Sequence, residues 1–144
     1  NIENVKKTLI ATKKAGIRSL GFFMFGLPNE TEEEMKETIS YAKSLPLTYA
    51  QFSIMMAKPN TQTEKELELD NKFWKNFILG KTPERRIATP WTKVPYKKIK
   101  KLTQKAYLQF YFRPQKIFYY ISDIKSLNEI FRYLKAIIKA LFQK

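Results

Sequence analysis

Apolar residues recur along the first third of the chain in two different rhythms. Ile2, Val5 and Leu9 fall three and four positions apart, with Lys6, Lys7, Lys13 and Lys14 off that stripe, which predicts an amphipathic helix stopped by Gly16. Ile17 to Phe25 then predicts a strand. Both of its faces, Leu20/Phe22/Met24 and Phe23/Phe25, are apolar, as expected of a strand covered on two sides. Thr31-Glu-Glu-Glu34 has the form of a capping box, with acidic residues at the positive end of the following helix, and Met35, Ile39 and Ala42 form that helix's inner face. Pro46 stops it, and Tyr49 to Met56 predicts a second strand. Strand, helix and strand in that order imply a right-handed parallel crossover. Two parallel strands do not make a stable sheet alone, so the pattern predicts further strands beside them and further sequence upstream of Asn1.

Downstream the rhythm becomes helical. Glu64 to Leu69 and Phe73 to Leu79 predict short helices, the second with Phe73, Trp74 and Phe77 on its apolar side. Pro83, Pro90 and Pro95 mark an irregular connection from Gly80 to Pro95. Lys97 to Phe112 predicts a helix with Ile99, Leu102, Ala106, Tyr107 and Phe110 inward, ended by Arg113-Pro114. A last helix is expected from Ser126, whose Ser-Leu-Asn-Glu repeats the capping box, almost to Lys144.

Charge divides the 144 residues unevenly. Residues 1–72 hold ten basic and ten acidic side chains, whereas 73–144 hold seventeen basic and three acidic ones and so carry the whole net charge of +14. The composition therefore places a boundary near Asn71 and Lys72, giving segments 1–70 and 71–144. The chain has no cysteine and no histidine, which removes disulfides, thiolate nucleophiles, imidazole bases and nearly every zinc or iron site built from these residues alone. No apolar run reaches the roughly 20 residues of a spanning helix, so a cytoplasmic location is the default expectation.

The candidate chemistry lies where the first strand ends. Ligands of α/β folds sit at the carboxyl ends of parallel strands, and "GLPNET", Gly26 to Thr31, is such an end. Gly26 lets a ligand approach the backbone, Pro28 stiffens the turn, and Glu30 is placed to hold it by accepting backbone N–H groups. The same residues also suit a plain strand-to-helix turn with a good cap.

The stretch "AGIRSLGFFMFGLPNETEEEMKETISYAKSLPLTYAQFSIMMAKPNT" resembles the later barrel strands of the radical S-adenosylmethionine family, in the branch that carries an N-terminal cobalamin-binding domain. That branch commonly reads Gly-Leu-Pro-Gly-Glu-Thr where this chain has Gly26 to Thr31, and Pro-x-Pro-Gly-Thr where it has Ala57 to Thr61. Residues 105–135, with "FYFRP", are similar to the branch's C-terminal tail. The resemblance implies an α/β fold: the C-terminal strands of a partial TIM-type (β/α) barrel over 1–70, followed by a mostly α-helical extension over 71–144. It implies an enzyme in which three cysteines spaced CxxxCxxC bind a 4Fe-4S cluster, S-adenosylmethionine is cleaved reductively, and a 5′-deoxyadenosyl radical abstracts hydrogen. Those cysteines lie outside this chain, as does any cobalamin domain, so the chain alone is expected to be inactive and to need the N-terminal part of the same protein.

The resemblance carries over cofactor-cradling positions only. Met24 matches the hydrophobic position near the adenine, Gly26 the close-approach glycine, Leu27 and Pro28 its turn, and Glu30 the acidic residue that orders it. Met55, Met56 and Ala57, at the second strand's end, match the backbone beside the adenine. Asn29 and Asn60 replace glycines, and asparagine tolerates left-handed backbone well. Ala57 replaces a proline. The implied reaction is radical transfer at an unactivated carbon of a small-molecule or lipid-like substrate, with cobalamin-dependent methylation and other radical reactions both open.

The basic segment admits a second reading, a helical module that uses residues 93–144 to hold RNA or an anionic membrane. Lys97, Lys98, Lys100, Lys101 and Lys105 sit among Tyr96 and Tyr107, but the aromatics follow helical spacing and suit a core side better than base stacking, so no nucleic acid is expected. Arg113 suits either an anion or the closing of a helix C-terminus. The apolar stripe of 126–144, ringed by lysines, suits docking on a barrel flank and equally a peripheral membrane contact.

Overall fold

The computed structural model describes residues 2–82 and 91–123, together with Phe131 and Lys135. The helix expected from Ser126 to near Lys144, and the middle of the irregular connection, lie outside the described residues. Eight elements follow in order: α1 (Ile2–Lys14), β1 (Leu20–Phe25), α2 (Glu32–Ser44), β2 (Tyr49–Ile54), α3 (Gln62–Glu66), α4 (Asn71–Ile78), α5 (Tyr96–Tyr111) and α6 (Pro114–Asp123).

The two strands pair in parallel, with Leu20 opposite Tyr49 and Phe25 opposite Ile54. The crossover α2 starts where the capping box places it. The Thr31 Oγ1 accepts from the Glu34 amide at 3.3 Å, and the Glu34 carboxylate accepts from the Thr31 amide at 2.8 Å, which holds the Glu34 carboxyl below its usual range. Met35, Ile39 and Ala42 of α2 meet Phe25, Ala50 and Phe52 of the sheet, and Ile99, Leu102, Ala106 and Phe110 of α5 complete the same core. Phe25, Met35, Ile99 and Phe110 are fully buried, each worth roughly 1.5–3 kcal/mol of apolar transfer.

Both layers land on one side of the sheet. On the opposite face Leu20, Phe22 and Met24 stand across from Tyr49, Gln51 and Ser53; Tyr120 stacks on Tyr49 at one end, and the β1 residues are exposed, Phe22 by 71%. The expectation of a strand covered on both sides thus holds on one face only, because α2 and α5 occupy the same side. Helix α1 behaves similarly: Leu9 reaches the core, while Ile2 and Val5 of its apolar stripe stay exposed.

The outer edge of β2 is closed by side chains instead of by a third strand. The Tyr107 hydroxyl accepts from the Phe52 amide at 3.1 Å and donates to the Phe52 carbonyl at 3.0 Å. The Tyr111 hydroxyl does the same at Ala50, at 3.1 and 2.8 Å, and burial pushes its pKa up. Helix α6, absent from the sequence expectation, continues this seal. Pro114 ends α5 but also opens α6, since proline lacks only an N–H that the first helical turn leaves unpaired. Tyr120 donates to the Thr48 carbonyl at 2.8 Å, and the Lys116 amine donates to the Leu47 and Thr48 carbonyls. Burial, with Arg113 and Lys13 nearby, pushes the Lys116 amine down to about 8. Arg113 donates to the Phe110 carbonyl in the last turn of α5 and to the Lys43 carbonyl of α2.

Candidate functional site

The register brings both strand ends to the same side of the sheet, so the turns after β1 and β2 emerge as neighbours, and the Met55 amide donates to the Phe25 carbonyl at 2.8 Å. In the first turn Gly26 is buried at φ 78°, a backbone conformation that side chains disfavour. The Glu30 carboxylate folds back beneath it. One oxygen, Oε2, accepts from the Gly26 amide at 2.6 Å and from the Leu27 amide at 3.0 Å, while the Glu30 amide donates to the Leu27 carbonyl at 3.0 Å. This is the ordering geometry expected of Glu30. Asn29 takes φ 59°, as its replacement of glycine requires. Pro28 is exposed at the tip.

Met24 and Leu27, at 47% and 41% exposure, stand at the mouth of the turn. In the second turn Met55 and Met56 are half-buried and Ala57 is fully buried. Asn60 also takes positive φ, 63°, and its amide donates to the Glu64 carboxylate at 2.6 Å, while Thr61 caps α3. The structure thus joins Gly26, Leu27 and Glu30 through direct hydrogen bonds and sets Met24 and Met55–Ala57 at the adjoining strand ends.

Two residues outside the expected set complete the first turn. The Trp91 indole N–H donates to the Gly26 carbonyl at 2.6 Å, and the Thr92 hydroxyl donates to the Glu30 carbonyl at 2.8 Å. A cavity of about 400 Å³ opens beside them, lined by Asn29, Glu30, Thr31, Glu32, Lys93 and Lys98 among others. Lys98 pairs with Glu32, and that contact, followed by Lys36, holds the Glu32 carboxyl below its usual range. Tyr107 and Tyr111 of α5 pack against the core, and the Tyr107 hydroxyl is bonded to Phe52.

The chemistry of these groups narrows the ligand. The two amides a phosphate would use are already bonded to a carboxylate, so the turn is not a phosphate cradle. What it offers is an ordered close-approach backbone with the Met24 and Leu27 side chains exposed beside it, a surface that suits a flat apolar ring, while the carboxylates that open α2 are engaged by Lys98, Lys36 and Thr31. A flat heteroaromatic ring such as adenine fits that surface. A 4Fe-4S cluster does not, because the chain has no cysteine or histidine and the described residues hold no group of three acidic side chains placed to bind a metal. Any cluster would rest on ligands outside these residues. No described helix is long and apolar enough to cross a membrane.

The chain is similar to a protein of Pyrococcus horikoshii named as an uncharacterized methyltransferase, with 37% identity over 108 residues. The match takes in 72% of this chain but only 22% of the relative, so the chain spans about a fifth of the protein it resembles. No protein-family model matches the chain. No solved structure matches it either.

Proposed function

We propose that this chain is the cofactor-facing C-terminal part of an S-adenosylmethionine-dependent methyltransferase of the radical type, with the Gly26–Thr31 turn lying against the cofactor. The observation that carries the reading is the buried carboxylate of Glu30, which locks a close-approach glycine at the carboxyl end of a parallel strand. The likeness to a protein named as a methyltransferase supports the methyl-transfer part of it. The open face of β1 supports the barrel part. Leu20, Phe22 and Met24 lie on the face away from the helices, which in a (β/α) barrel is the lumen, and β2's sealed edge suits the terminal strand of a partial barrel. In that arrangement further strands of the same polypeptide pair with β1.

S-adenosylmethionine, when bound, supplies the transferable methyl group and, with a cluster held elsewhere, radical chemistry. The residues of this chain bind and orient. Gly26 gives the ring a backbone without a side chain in the way, Met24 and Leu27 cover it and exclude water, Glu30 fixes the turn, and Met55–Ala57 present backbone from the neighbouring strand. A small-molecule or lipid-like substrate enters from the open face.

The test is Gly26→Val in the full-length polypeptide, prepared anaerobically and titrated calorimetrically with S-adenosylmethionine. At φ 78° valine introduces backbone strain of about 1–2 kcal/mol, so the melting temperature should fall by a few degrees. Affinity should fall more than tenfold, beyond what that strain explains. Unchanged affinity, or a full-length sequence without CxxxCxxC upstream, would sink the radical reading.

A further inference from the structure

Trp91 and Thr92 reach the Gly26–Glu30 turn from 62 to 65 positions away along the chain. Three hydrogen bonds join them to it: Trp91 Nε1 to the Gly26 carbonyl at 2.6 Å, the Asn29 amide to the Trp91 carbonyl at 3.2 Å, and Thr92 Oγ1 to the Glu30 carbonyl at 2.8 Å. The strap is itself anchored, because the Val94 amide donates to Thr92 Oγ1 at 3.1 Å and the Val94 side chain packs on the core.

The pairing is more than extra contact. The Gly26 carbonyl and the Leu27 amide belong to one planar peptide unit. Trp91 holds that unit by its oxygen while Glu30 holds it by its N–H, so it is gripped at both ends and its tilt is fixed. Asn29, left-handed at φ 59°, is tied through its amide to the same strap. The polar groups of the turn are thus divided between an internal carboxylate and a distant strap. Glu30 alone would leave the Gly26 carbonyl and the Asn29 amide without these partners.

We propose that Trp91 and Thr92 are positioning residues for the ligand turn, holding the Gly26–Leu27 peptide and Asn29 in the shape that receives the cofactor. This rests on the reading of the turn as the surface facing S-adenosylmethionine. Their contacts are to the backbone of the turn, so they act on the ligand through it.

The test uses the full-length polypeptide with Trp91→Phe, which keeps an aromatic ring and loses the indole N–H, and Thr92→Val, which keeps the shape and loses the hydroxyl. Amide hydrogen exchange, S-adenosylmethionine titration and thermal melts are read on each. Exchange of the Leu27, Asn29, Glu30 and Thr31 amides should accelerate about tenfold or more, with the amides of β2 and α5 unchanged, melting within about 3 °C of wild type, and affinity weakened about tenfold. Unchanged exchange in the turn in both variants overturns the proposal. So does faster exchange spread evenly over the chain, which marks a merely structural role, and so does a loosened turn with undiminished affinity. A wild-type protein that does not bind S-adenosylmethionine at all defeats the cofactor reading instead, and the exchange pattern then decides by itself whether the strap sets the turn.

Discussion

β1 and β2 are equal in length, run side by side, and end in related turns, Pro28-Asn29 before the cap at Thr31 and Pro59-Asn60 before the cap at Thr61. They are held in opposite ways. The turn of β1 is fixed from within by Glu30 and from outside by Trp91 and Thr92, yet the strand's face is bare and its far edge has no strand partner among the described residues. The turn of β2 is held locally, by Glu64 and Thr61, while its edge is closed by Tyr107 and Tyr111. The difference separates two jobs. On the proposed reading, rigidity at the end of β1 serves a ligand, and closure along β2 serves the sheet. The basic half of the chain supplies the long-range contacts for both.

The comparison is most sharply tested at Phe22. If other strands of the full-length polypeptide cover the open face, Phe22→Ala should destabilise that protein by about 3 kcal/mol, the range for a buried phenylalanine. The loss should stay within about 0.5 kcal/mol if the face remains in water. Urea unfolding distinguishes the two, and the smaller value would argue against a barrel.

The turns themselves come next. Glu30→Ala leaves the Gly26 and Leu27 amides without an acceptor beneath a buried glycine, which should cost about 2–3 kcal/mol. Glu64→Ala removes the acceptor of the exposed Asn60 amide and of the Trp74 indole N–H and should cost about 1 kcal/mol, since both donors can turn to water. Equal losses would erase the distinction between the turns.

The smallest effect belongs to Lys116 at the foot of β2. Its amine titrates near 8 in the folded chain against about 10.5 in an unfolded one, so below pH 8 it is charged in both states and its desolvation counts against folding. Between about pH 8 and 10.5 only the unfolded state keeps the proton, and stability should rise with pH. Measured against Lys116→Met, the wild type should gain about 1 kcal/mol over that window, a figure reduced for the half-exposed setting of the group. A flat difference would mean that the amine is solvated.

Local chemistry was readable from the chain and distant chemistry was not. The Thr31–Glu34 box, the inward residues Ile99, Leu102, Ala106 and Phe110, and the fold-back of Glu30 all depend on partners within a few positions or on one helical period. Helix α6 escaped because Arg113-Pro114 reads as a stop, although proline also suits the first turn of a new helix. Tyr107 looked like core packing; its hydroxyl pairing with Phe52, 55 positions away, has no local signature. The Trp91-Thr92 strap lay in a proline-marked stretch that reads as mere connection. A tryptophan and a threonine hydroxyl in such a stretch are a usable hint, since both carry donors that seek a partner when they pack.

The two tyrosines that seal β2 stand four apart on α5 and meet residues two apart on the strand. Four helical residues advance about 6 Å and two strand residues about 6.6 Å, so a helix lying along a sheet edge can stand in for a missing strand. It does so without offering an edge of its own. Among the described residues β1 therefore keeps the one open strand edge of the sheet. A unit with one open strand edge can pair with a second copy there, whereas edge-to-edge growth of a fibre needs two.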